Sequence, residues 1–198
     1  MPIQIGITGG IGSGKSLICS IFNALGIPSY DADSRAKRLM TTDGILVDSI
    51  KKEFGVLSFH PDGKLNREYI RGIVFNNNER LKKLNSLVHP RVAVDYQEWI
   101  KLHDAHPYVI REAALLFESG SASLQDKVIV VHAPEELRIR RVTSRDPQRT
   151  ENEIRNIMKS QMSETEKLER ADFIIFNDDT QLVIPQVLKL HEQFLREQ

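Results

Sequence analysis

Residues 3–16, IQIGITGGIGSGKS, decide the fold of this 198-residue chain. The last eight, residues 9–16, satisfy the pattern G-x-x-x-x-G-K-[ST], in which a glycine-rich loop turns its backbone N–H groups toward phosphates. The uncharged run before them, residues 3–8, is typical of a buried central strand. The apolar residues that recur at helical spacing after the loop, before Gly26, are Leu17, Ile18, Ile21, Phe22 and Leu25. The stretch therefore predicts a strand, a loop that binds a nucleoside triphosphate, and a helix.

Each kind of residue in the loop has a separate task. Glycines leave the backbone N–H groups unobstructed, and the positive end of the following helix faces the phosphates. Lys15 is expected to reach the β- and γ-phosphates, and Ser16 to offer its hydroxyl to the Mg²⁺ ion that bridges them. A flexible glycine turn in an ordinary α/β protein is the alternative, which the complete octet and its flanks disfavour. The predicted nucleotide contacts are Gly10, Ile11, Gly12, Ser13, Gly14, Lys15, Ser16 and Leu17.

The composition predicts a compact cytoplasmic enzyme with one domain and inserted segments, since 40% of the residues are hydrophobic. The 27 basic residues balance 27 acidic ones, which disfavours general nucleic-acid binding and a polybasic membrane attachment. The first residues enter the strand pattern directly and no later run approaches membrane-spanning length, so we expect neither a signal peptide nor a membrane span. Cys19 is the only cysteine and is expected to be a small buried side chain. The histidines show no zinc-site spacing, so the metal predicted is Mg²⁺ alone.

Further strand patterns occur at residues 27–30, 108–111, 127–131 and 173–176. Helical patterns separate them, which predicts a parallel sheet flanked by helices. Residues 31–106 show helical spacing and almost no alternation, so we expect an inserted helical subdomain there. The closing stretch, residues 181–196, is amphipathic and is expected to pack on the sheet. The turns predicted within the insertion are Asp43-Gly44, Pro61-Asp62-Gly63, Asn76 to Asn78, and His89-Pro90.

Two acidic residues, in Asp31-Ala32-Asp33, directly follow the predicted strand at residues 27–30. Strand C-termini border the ligand crevice in parallel α/β sheets, so these carboxylates are expected near the γ-phosphate end of the nucleotide. Asp33 could accept a proton from an attacking hydroxyl group, or orient that group. It could equally be the N-cap of the helical pattern that begins at Ser34, and the two roles are compatible.

A local cluster of arginines stands out in a chain without net charge: Arg138, Arg140, Arg141, Arg145 and Arg149. The spacing places Arg138, Arg141 and Arg145 on one helix face, followed by a turn at Asp146-Pro147-Gln148. Arginines on a mobile element over a bound nucleotide would neutralise charge on the transferring phosphoryl group. The alternative is a solvated helix whose arginines pair with Glu135, Glu136 and Glu151.

In their joint order, the motifs of this chain resemble those of the dephospho-coenzyme A kinase family. Residues 5–16 are similar to the family's signature, in which Thr-Gly-Gly-Ile-Gly specialises the general phosphate loop, and Asp31-Ala32-Asp33 follows as it does there. Together the matching segments cover nearly the whole chain. The other segments are Phe54-Gly55, residues 62–67 (DGKLNR), Val74-Phe75, His89-Pro90, residues 115–118 (LLFE), Arg141, Arg145, Gln161 and residues 171–177.

The resemblance implies that the γ-phosphoryl group of ATP is transferred to the ribose 3′-hydroxyl of dephospho-CoA, with Mg²⁺ as the cofactor. This reaction gives CoA and ADP and is the final step of CoA synthesis. The implied fold is a P-loop, nucleoside-monophosphate-kinase-like α/β structure: a parallel sheet flanked by helices, with an inserted helical substrate domain and a lid. The expected parts are residues 1–30, 107–133 and 166–198 for the nucleotide-binding core, 31–106 for the dephospho-CoA-binding insertion, and 134–165 for the lid.

Matched positions also imply roles for single residues. Asp33 becomes the base or hydroxyl-orienting group, and Thr8 a neighbour of the reacting centre. Lys15, Arg141 and Arg145 join them as catalytic residues, the last two from the lid. Asn177 is expected near the adenine of ATP. The implied acceptor contacts are Asp33, Asn66, Arg67, His89, Leu115, Phe117 and Glu118.

Three positions depart from the family's common pattern. Leu17 replaces a threonine, but Ser16 still supplies the hydroxyl for Mg²⁺. Glu112 stands where aspartate is common and keeps a carboxylate, and Phe176 occupies an often acidic position. Two other classes stay open at this point. Another small-molecule or nucleotide kinase would share the core and the lid but not the acceptor motifs. A non-enzymatic P-loop switch would not need the helical insertion.

Overall fold

Five parallel strands form one sheet in the order β2-β3-β1-β4-β5, in a computed structural model that describes residues 1–75 and 77–197. The predicted strand, loop and helix at the N-terminus and the parallel sheet are confirmed, and β1 is the central strand. The ladder of β2 begins two residues later than predicted, because Pro28 has no N–H group to donate to it. The strands are β1 (Ile3–Thr8), β2 (Ser29–Asp31), β3 (Tyr108–Glu112), β4 (Lys127–His132) and β5 (Phe173–Phe176).

Helices follow or separate the strands along the described chain. They are α1 (Lys15–Ala24), α2 (Ala32–Thr42), α3 (Gly44–Phe54), α4 (Arg67–Val74), α5 (Asn78–Leu102), α6 (Glu135–Arg145), α7 (Glu151–Ser160), α8 (Glu164–Glu169) and α9 (Val183–Arg196). Short 3₁₀ turns occupy Val56–Ser58 and Ser121–Leu124. No described helix combines the length and the apolar character that a membrane span needs.

The chain divides into two compact units. The first comprises Met1–Asp31 and Leu102–Gln198 and contains the sheet; the second is Ala32–Lys101 and is helical. The second unit lies within residues 31–106, for which a helical insertion was predicted, and the role of that insertion in binding dephospho-CoA stays a prediction. The division of the rest into a core and a lid stays a prediction, since residues 134–165 belong to the first unit.

The core of the first unit lies between the sheet and the helices α1 and α9. Ile5 and Ile7 of β1 are fully buried against Phe22 of α1. Phe194 of α9 belongs to the same cluster, so the predicted packing of the closing helix on the sheet is confirmed. Pro185 is the third residue of α9, where a missing N–H group breaks no intrahelical bond.

Two of the turns predicted in the helical unit are confirmed. Asp43 caps α3, since its carboxylate accepts a hydrogen bond of 2.9 Å from the Leu46 N–H. The guanidinium of Arg91 donates to the same carboxylate and is the main reason why the pKa of Asp43 lies below its usual value. The turn at residues 61–63 joins the antiparallel bridge between Phe59 and Leu65.

The other two predicted turns have different outcomes. The turn at His89-Pro90 was a wrong prediction, since Pro90 lies inside the 25-residue helix α5. Proline in a helix interior costs about 3 kcal/mol, but five buried residues of α5 outweigh that cost: Val88, Val92, Tyr96, Trp99 and Ile100. Of the turn at Asn76 to Asn78, Asn76 lies outside the described residues, and Asn78 is the first residue of α5.

Candidate active site

The phosphate loop joins the carboxyl end of the central strand β1 to the N-terminus of α1. Gly14 is the N-cap of α1 and has a left-handed backbone with φ of 97°, which glycine adopts without strain. Its carbonyl accepts the N–H groups of Leu17 and Ile18. A Cβ atom at Gly14 would collide with Nδ2 of Asn177. Both the backbone angle and the close neighbour therefore require glycine at this position.

Lys15 lies over the loop that precedes it. Its Nζ donates to the carbonyl oxygen of Gly9 at 3.0 Å and to that of Gly10 at 3.3 Å. The Gly10 carbonyl also accepts the Ser13 N–H at 3.1 Å. The ammonium group and the N-terminus of α1 are thus held at one loop, which suits the binding of a polyphosphate.

Oxygen atoms suited to a divalent cation meet beside the loop. The Ser16 hydroxyl donates a 3.0 Å hydrogen bond to Oε1 of Glu112, the last residue of β3. Asp31, the last residue of β2, is the register partner of Glu112. Hydroxyl and carboxylate oxygens are the ligands that Mg²⁺ prefers, and it is usually held by one or two carboxylates together with substrate phosphates. The donor set therefore fits the predicted Mg²⁺, and it adds Glu112 and Asp31 to Ser16.

The electrostatics of Glu112 reflect this position. Burial raises the pKa of its carboxyl, and the negative charge of Asp31 acts in the same direction. The Ser16 hydrogen bond and the nearby Lys15 charge lower it, but the net shift is upward. A cation would stabilise the ionised form of such a carboxylate. The sequence marked Glu112 only as a departure from a common aspartate. Its contact with Ser16 could not be predicted, because it depends on β3 lying beside β1 in the sheet.

The elements on either side of the loop each contain a buried side chain with a polar atom. Thr8 is fully buried at the end of β1, and its hydroxyl has no hydrogen-bond partner within the described residues. Its proposed place near the reacting centre stays a prediction. Cys19 is buried, as expected, and burial is the main reason why the pKa of its thiol lies far above the usual value. Such a shift disfavours the thiolate, which is the nucleophilic form of cysteine.

Asn177, which follows β5, binds the phosphate loop directly. Its Nδ2 donates to the Ser13 carbonyl oxygen at 2.8 Å, and the residue is almost fully buried. Arg141 donates to the Asn177 carbonyl oxygen at 2.9 Å and to Oδ1 of Asp179 at 2.7 Å. These contacts bring a predicted adenine neighbour and a predicted lid arginine together at the carboxyl end of the sheet. Whether either touches the nucleotide stays a prediction.

Arg138, which the spacing predicts on one helix face with Arg141 and Arg145, is buried. It is 6% exposed, and its guanidinium lies so close to Gly10 that a Cβ atom there would collide with Nη1. Oε2 of Glu164 lies 3.8 Å from that nitrogen, and Oε1 of Glu164 is 2.9 Å from Nδ1 of His132. Arg138 is therefore a buried neighbour of the phosphate loop. The helical spacing identified the face but not what would pack on it.

The proposed pairing of the arginine cluster with Glu135, Glu136 and Glu151 was also wrong. All three glutamates pair instead with Arg155 of α7, which sequence reasoning did not single out. The contacts link α6 to α7 at the surface, where ion pairs contribute little to stability. Arg145 is the last residue of α6 and is exposed, and its role in a lid stays a prediction. Arg149 pairs with Asp146 across the predicted turn at residues 146–148.

The loop after β3 contains the candidate acceptor residues of the first unit. Leu115 is 44% exposed, Leu116 is fully buried, and Phe117 is half-buried. Oε1 of Glu118 accepts the Met162 N–H at 2.7 Å and lies 3.9 Å from Nζ of the buried Lys167. Glu118 therefore anchors this loop to the segment between α7 and α8, whether or not it also contacts the acceptor.

In the helical unit, the predicted acceptor residues have distinct local positions. Asn66 is the N-cap of α4, where Oδ1 accepts the Tyr69 N–H at 3.1 Å, and Arg67 begins the helix with an exposed side chain. His89 is exposed on α5. Asp33 is exposed and is the second residue of α2 rather than its N-cap, which corrects the capping alternative. A carboxylate in the first turn still interacts favourably with the helix dipole.

Comparisons with known proteins agree with this arrangement. Residues 3–182 match the family model described as Dephospho-CoA kinase. A curated dephospho-CoA kinase of Bacteroides fragilis is 38% identical over 190 residues, which cover 96% of this chain and 92% of the relative. The solved structure of a dephospho-CoA kinase from Campylobacter jejuni is 29% identical with a TM-score of 0.73, and covers 100% of this chain and 99% of that one. A crystal structure from Thermus thermophilus is 33% identical, with a TM-score of 0.83 and coverage of 99% and 97%.

Proposed function

The chain belongs to the dephospho-CoA kinase family, and from this premise we propose that its phosphate loop holds ATP for phosphorylation of the 3′-hydroxyl of dephospho-CoA. A bond forms between the acceptor oxygen and the γ-phosphorus, and the bond from that phosphorus to the β,γ-bridging oxygen breaks. The hydroxyl proton leaves, and the products are CoA and ADP. The reaction completes coenzyme A biosynthesis.

One observation carries the donor half of the proposal. Lys15 and the N-terminus of α1 converge on the glycine loop, where Nζ lies 3.0 Å from the Gly9 carbonyl oxygen. A positive charge and the positive end of a helix dipole at one place favour the phosphates of ATP. We expect Lys15 to leave the loop carbonyls for the β- and γ-phosphates when ATP binds. Its charge then stabilises the phosphoryl group as negative charge moves toward the leaving ADP.

The proposed Mg²⁺ site uses the hydroxyl of Ser16 together with the carboxylates of Glu112 and Asp31. Bound Mg²⁺ would neutralise phosphate charge. The protein's own part is to keep oxygens in place before ATP arrives, which the 3.0 Å bond between Ser16 and Glu112 does. Glu112 stands where the family commonly has aspartate; it also provides a carboxylate, but its side chain is longer by one methylene group.

Asp33 is the proposed acceptor of the hydroxyl proton, or the group that orients the hydroxyl. It follows Asp31 by two residues, and Asp31 ends β2 beside Glu112 in the ladder. Its side chain is exposed, as a group that meets a substrate must be. With a loose phosphoryl-transfer transition state, alignment of the hydroxyl contributes more than strong basicity.

The acceptor site and the lid are proposed from matched positions. Residues 31–106 would bind dephospho-CoA, with Asn66, Arg67 and His89 among the contacts, together with Leu115, Phe117 and Glu118 of the first unit. Residues 134–165 would act as the lid and bring Arg141 and Arg145 over the transferring group. Arg141 is supported by its place beside Asn177, 2.9 Å from that carbonyl oxygen.

The test is a Mg²⁺-dependent ATP assay with and without dephospho-CoA, with the product mass and phosphate position read by mass spectrometry and NMR. A 3′-phosphorylated product is expected. Lys15→Ala should reduce turnover by at least about 100-fold without unfolding the protein, whereas Lys189→Ala, at an exposed position on α9, should retain full activity. ATP hydrolysis without a phosphorylated acceptor would instead indicate a switch, and wild-type turnover by Lys15→Ala would exclude this loop as the site.

A separate variant tests Asp33. Asp33→Asn should reduce turnover with little change in ATP affinity, since the carboxamide keeps the shape but cannot take the proton. A loss of thermal stability without a loss of turnover would assign Asp33 to helix stabilisation alone.

A further inference from the structure

Gln161 contacts two loops of the first unit with the two ends of one amide. It is the C-cap of α7, and its Oε1 accepts the N–H of Ile11 in the phosphate loop at 3.0 Å. Its Nε2 donates to the carbonyl oxygen of Ala114, in the loop after β3, at 3.4 Å. The opposite orientation of the amide would place its NH₂ group against the Ile11 N–H, so the two partners fix which end faces which loop.

The peptide group that Gln161 holds is the one on which Lys15 depends. A peptide is planar, so the direction of the Ile11 N–H sets the direction of the Gly10 carbonyl. That carbonyl accepts Nζ of Lys15 at 3.3 Å and the Ser13 N–H at 3.1 Å. Without Gln161, the peptide would lose its partner on the N–H side, and its orientation would depend on the two contacts of the carbonyl alone.

The other end of the contact reaches the candidate acceptor loop. Ala114 directly precedes Leu115. The residue after Gln161, Met162, donates its N–H to Glu118 at 2.7 Å. Two consecutive residues between α7 and α8 therefore bind both ends of a short segment, residues 114–118, and one of them also binds the phosphate loop.

We infer that Gln161 is a positioning residue for phosphoryl transfer, which orients the Gly10–Ile11 peptide for Lys15 and links the phosphate loop to residues 114–118. Its effect on nucleotide binding passes through the Gly10 carbonyl and Lys15. The inference rests on the ATP site proposed above.

A double-mutant cycle in nucleotide binding tests the inference. Gln161→Met keeps the length of the side chain but has neither the donor nor the acceptor, and it is combined with Lys15→Ala. Calorimetry measures the Kd of the β,γ-imido analogue of ATP with Mg²⁺ for all four proteins. Gln193→Met on α9 is the control, because Gln193 is also half-buried and hydrogen-bonded, to Glu197 at 2.9 Å.

Gln161→Met is expected to weaken binding about tenfold in the wild-type background, as the loss of one well-placed hydrogen bond does. In the Lys15→Ala background, Gln161→Met should weaken binding by less than about twofold, since the ammonium group that Gln161 helps to position is absent. The N–H of Ile11 should also exchange with solvent faster in Gln161→Met, as read by NMR. In steady-state assays, kcat should fall by about tenfold or more, and Gln193→Met should match the wild type.

If Gln161→Met weakened binding of the analogue equally with and without Lys15, or in neither background, the inference would be overturned, because Gln161 would then not act through Lys15. Unchanged exchange at Ile11 would overturn it as well. A wild-type protein that binds the analogue but does not phosphorylate dephospho-CoA would count against the proposed function. The coupling between Gln161 and Lys15 would still be readable in that case, since binding and exchange need no turnover.

Discussion

The crowding between Gly14 and Asn177 provides a sharp test of how the phosphate loop is held. Gly14 has φ of 97°, and a Cβ atom there would collide with Nδ2 of Asn177. That nitrogen is not free to move without cost, because it donates to the Ser13 carbonyl oxygen at 2.8 Å in a nearly fully buried site. We therefore predict that Gly14→Ala destabilises the fold by two separable effects.

The first effect is backbone strain, about 1–2 kcal/mol for alanine in the left-handed region. The second is displacement of Asn177, which breaks its bond to Ser13 and leaves a buried polar group unpaired, at about 1–3 kcal/mol. The sum, about 3 kcal/mol, corresponds to a Tm lower by roughly 6–12 °C for a chain of this size. Asn177→Ala alone should cost about 1–3 kcal/mol for the same lost bond. In the double variant the bond is lost only once and the strain adds to it, so the coupling free energy equals the cost of the lost bond, about 1–3 kcal/mol.

The assay is urea unfolding of the four proteins, with coincident circular dichroism and fluorescence transitions to establish two-state behaviour. Gly26→Ala is the matched control, because Gly26 has φ of +84° and a Cβ atom there would have no atom within 4 Å among the described residues beyond its chain neighbours. It should cost the strain alone, about 1–2 kcal/mol. Additivity of Gly14→Ala and Asn177→Ala within about 0.5 kcal/mol, or equal costs at Gly14 and Gly26, would refute the reasoning.

Three further predictions concern charge and helix geometry. Burial raises the pKa of the Glu112 carboxyl, so the ionised carboxylate destabilises the folded protein at a pH above that pKa. Glu112→Gln should therefore raise the Tm near pH 7.5, and this gain should disappear as the pH falls through the folded-state pKa; an equal Tm gain at acid pH would contradict the reasoning. The same variant should lower Mg²⁺-dependent turnover at least about tenfold. Arg145→Ala should lower kcat about 100-fold without changing the free energy of unfolding. Arg155→Ala is the control: the ion pairs of Arg155 lie at the surface, so this variant should change stability by less than about 1 kcal/mol and leave kcat unchanged. Equal kcat values for the two variants would remove Arg145 from the lid proposal. Pro90→Ala should stabilise the protein by about 1–3 kcal/mol in urea unfolding, since it restores an N–H group inside α5. A loss of stability would instead indicate that the chain forms a turn at Pro90 in solution.

The elements that could be predicted are those whose signal is local. The phosphate loop needs its glycines and lysine at fixed spacing, and β1 is recognisable because both its faces are buried. Pro90 shows where a local rule fails: proline is a strong break signal, but the buried face of α5 outweighs it. Arg138 shows the same limit for charge, since helical spacing revealed a shared face but not that Glu164 and Gly10 would cover one of its members.

The supports of the phosphate loop come from far along the chain. Asn177, 164 residues from Ser13, holds one loop carbonyl, and Gln161, 150 residues from Ile11, holds one loop N–H. A loop that adopted its binding shape only with ATP would lose affinity to the entropy of ordering, about 1–2 kcal/mol for each backbone residue fixed. These two side chains instead hold the loop in advance, one through the Ser13 carbonyl oxygen and the other through the Ile11 N–H. The octet thus specifies which atoms bind phosphate, whereas the segments after α7 and β5 keep those atoms in place.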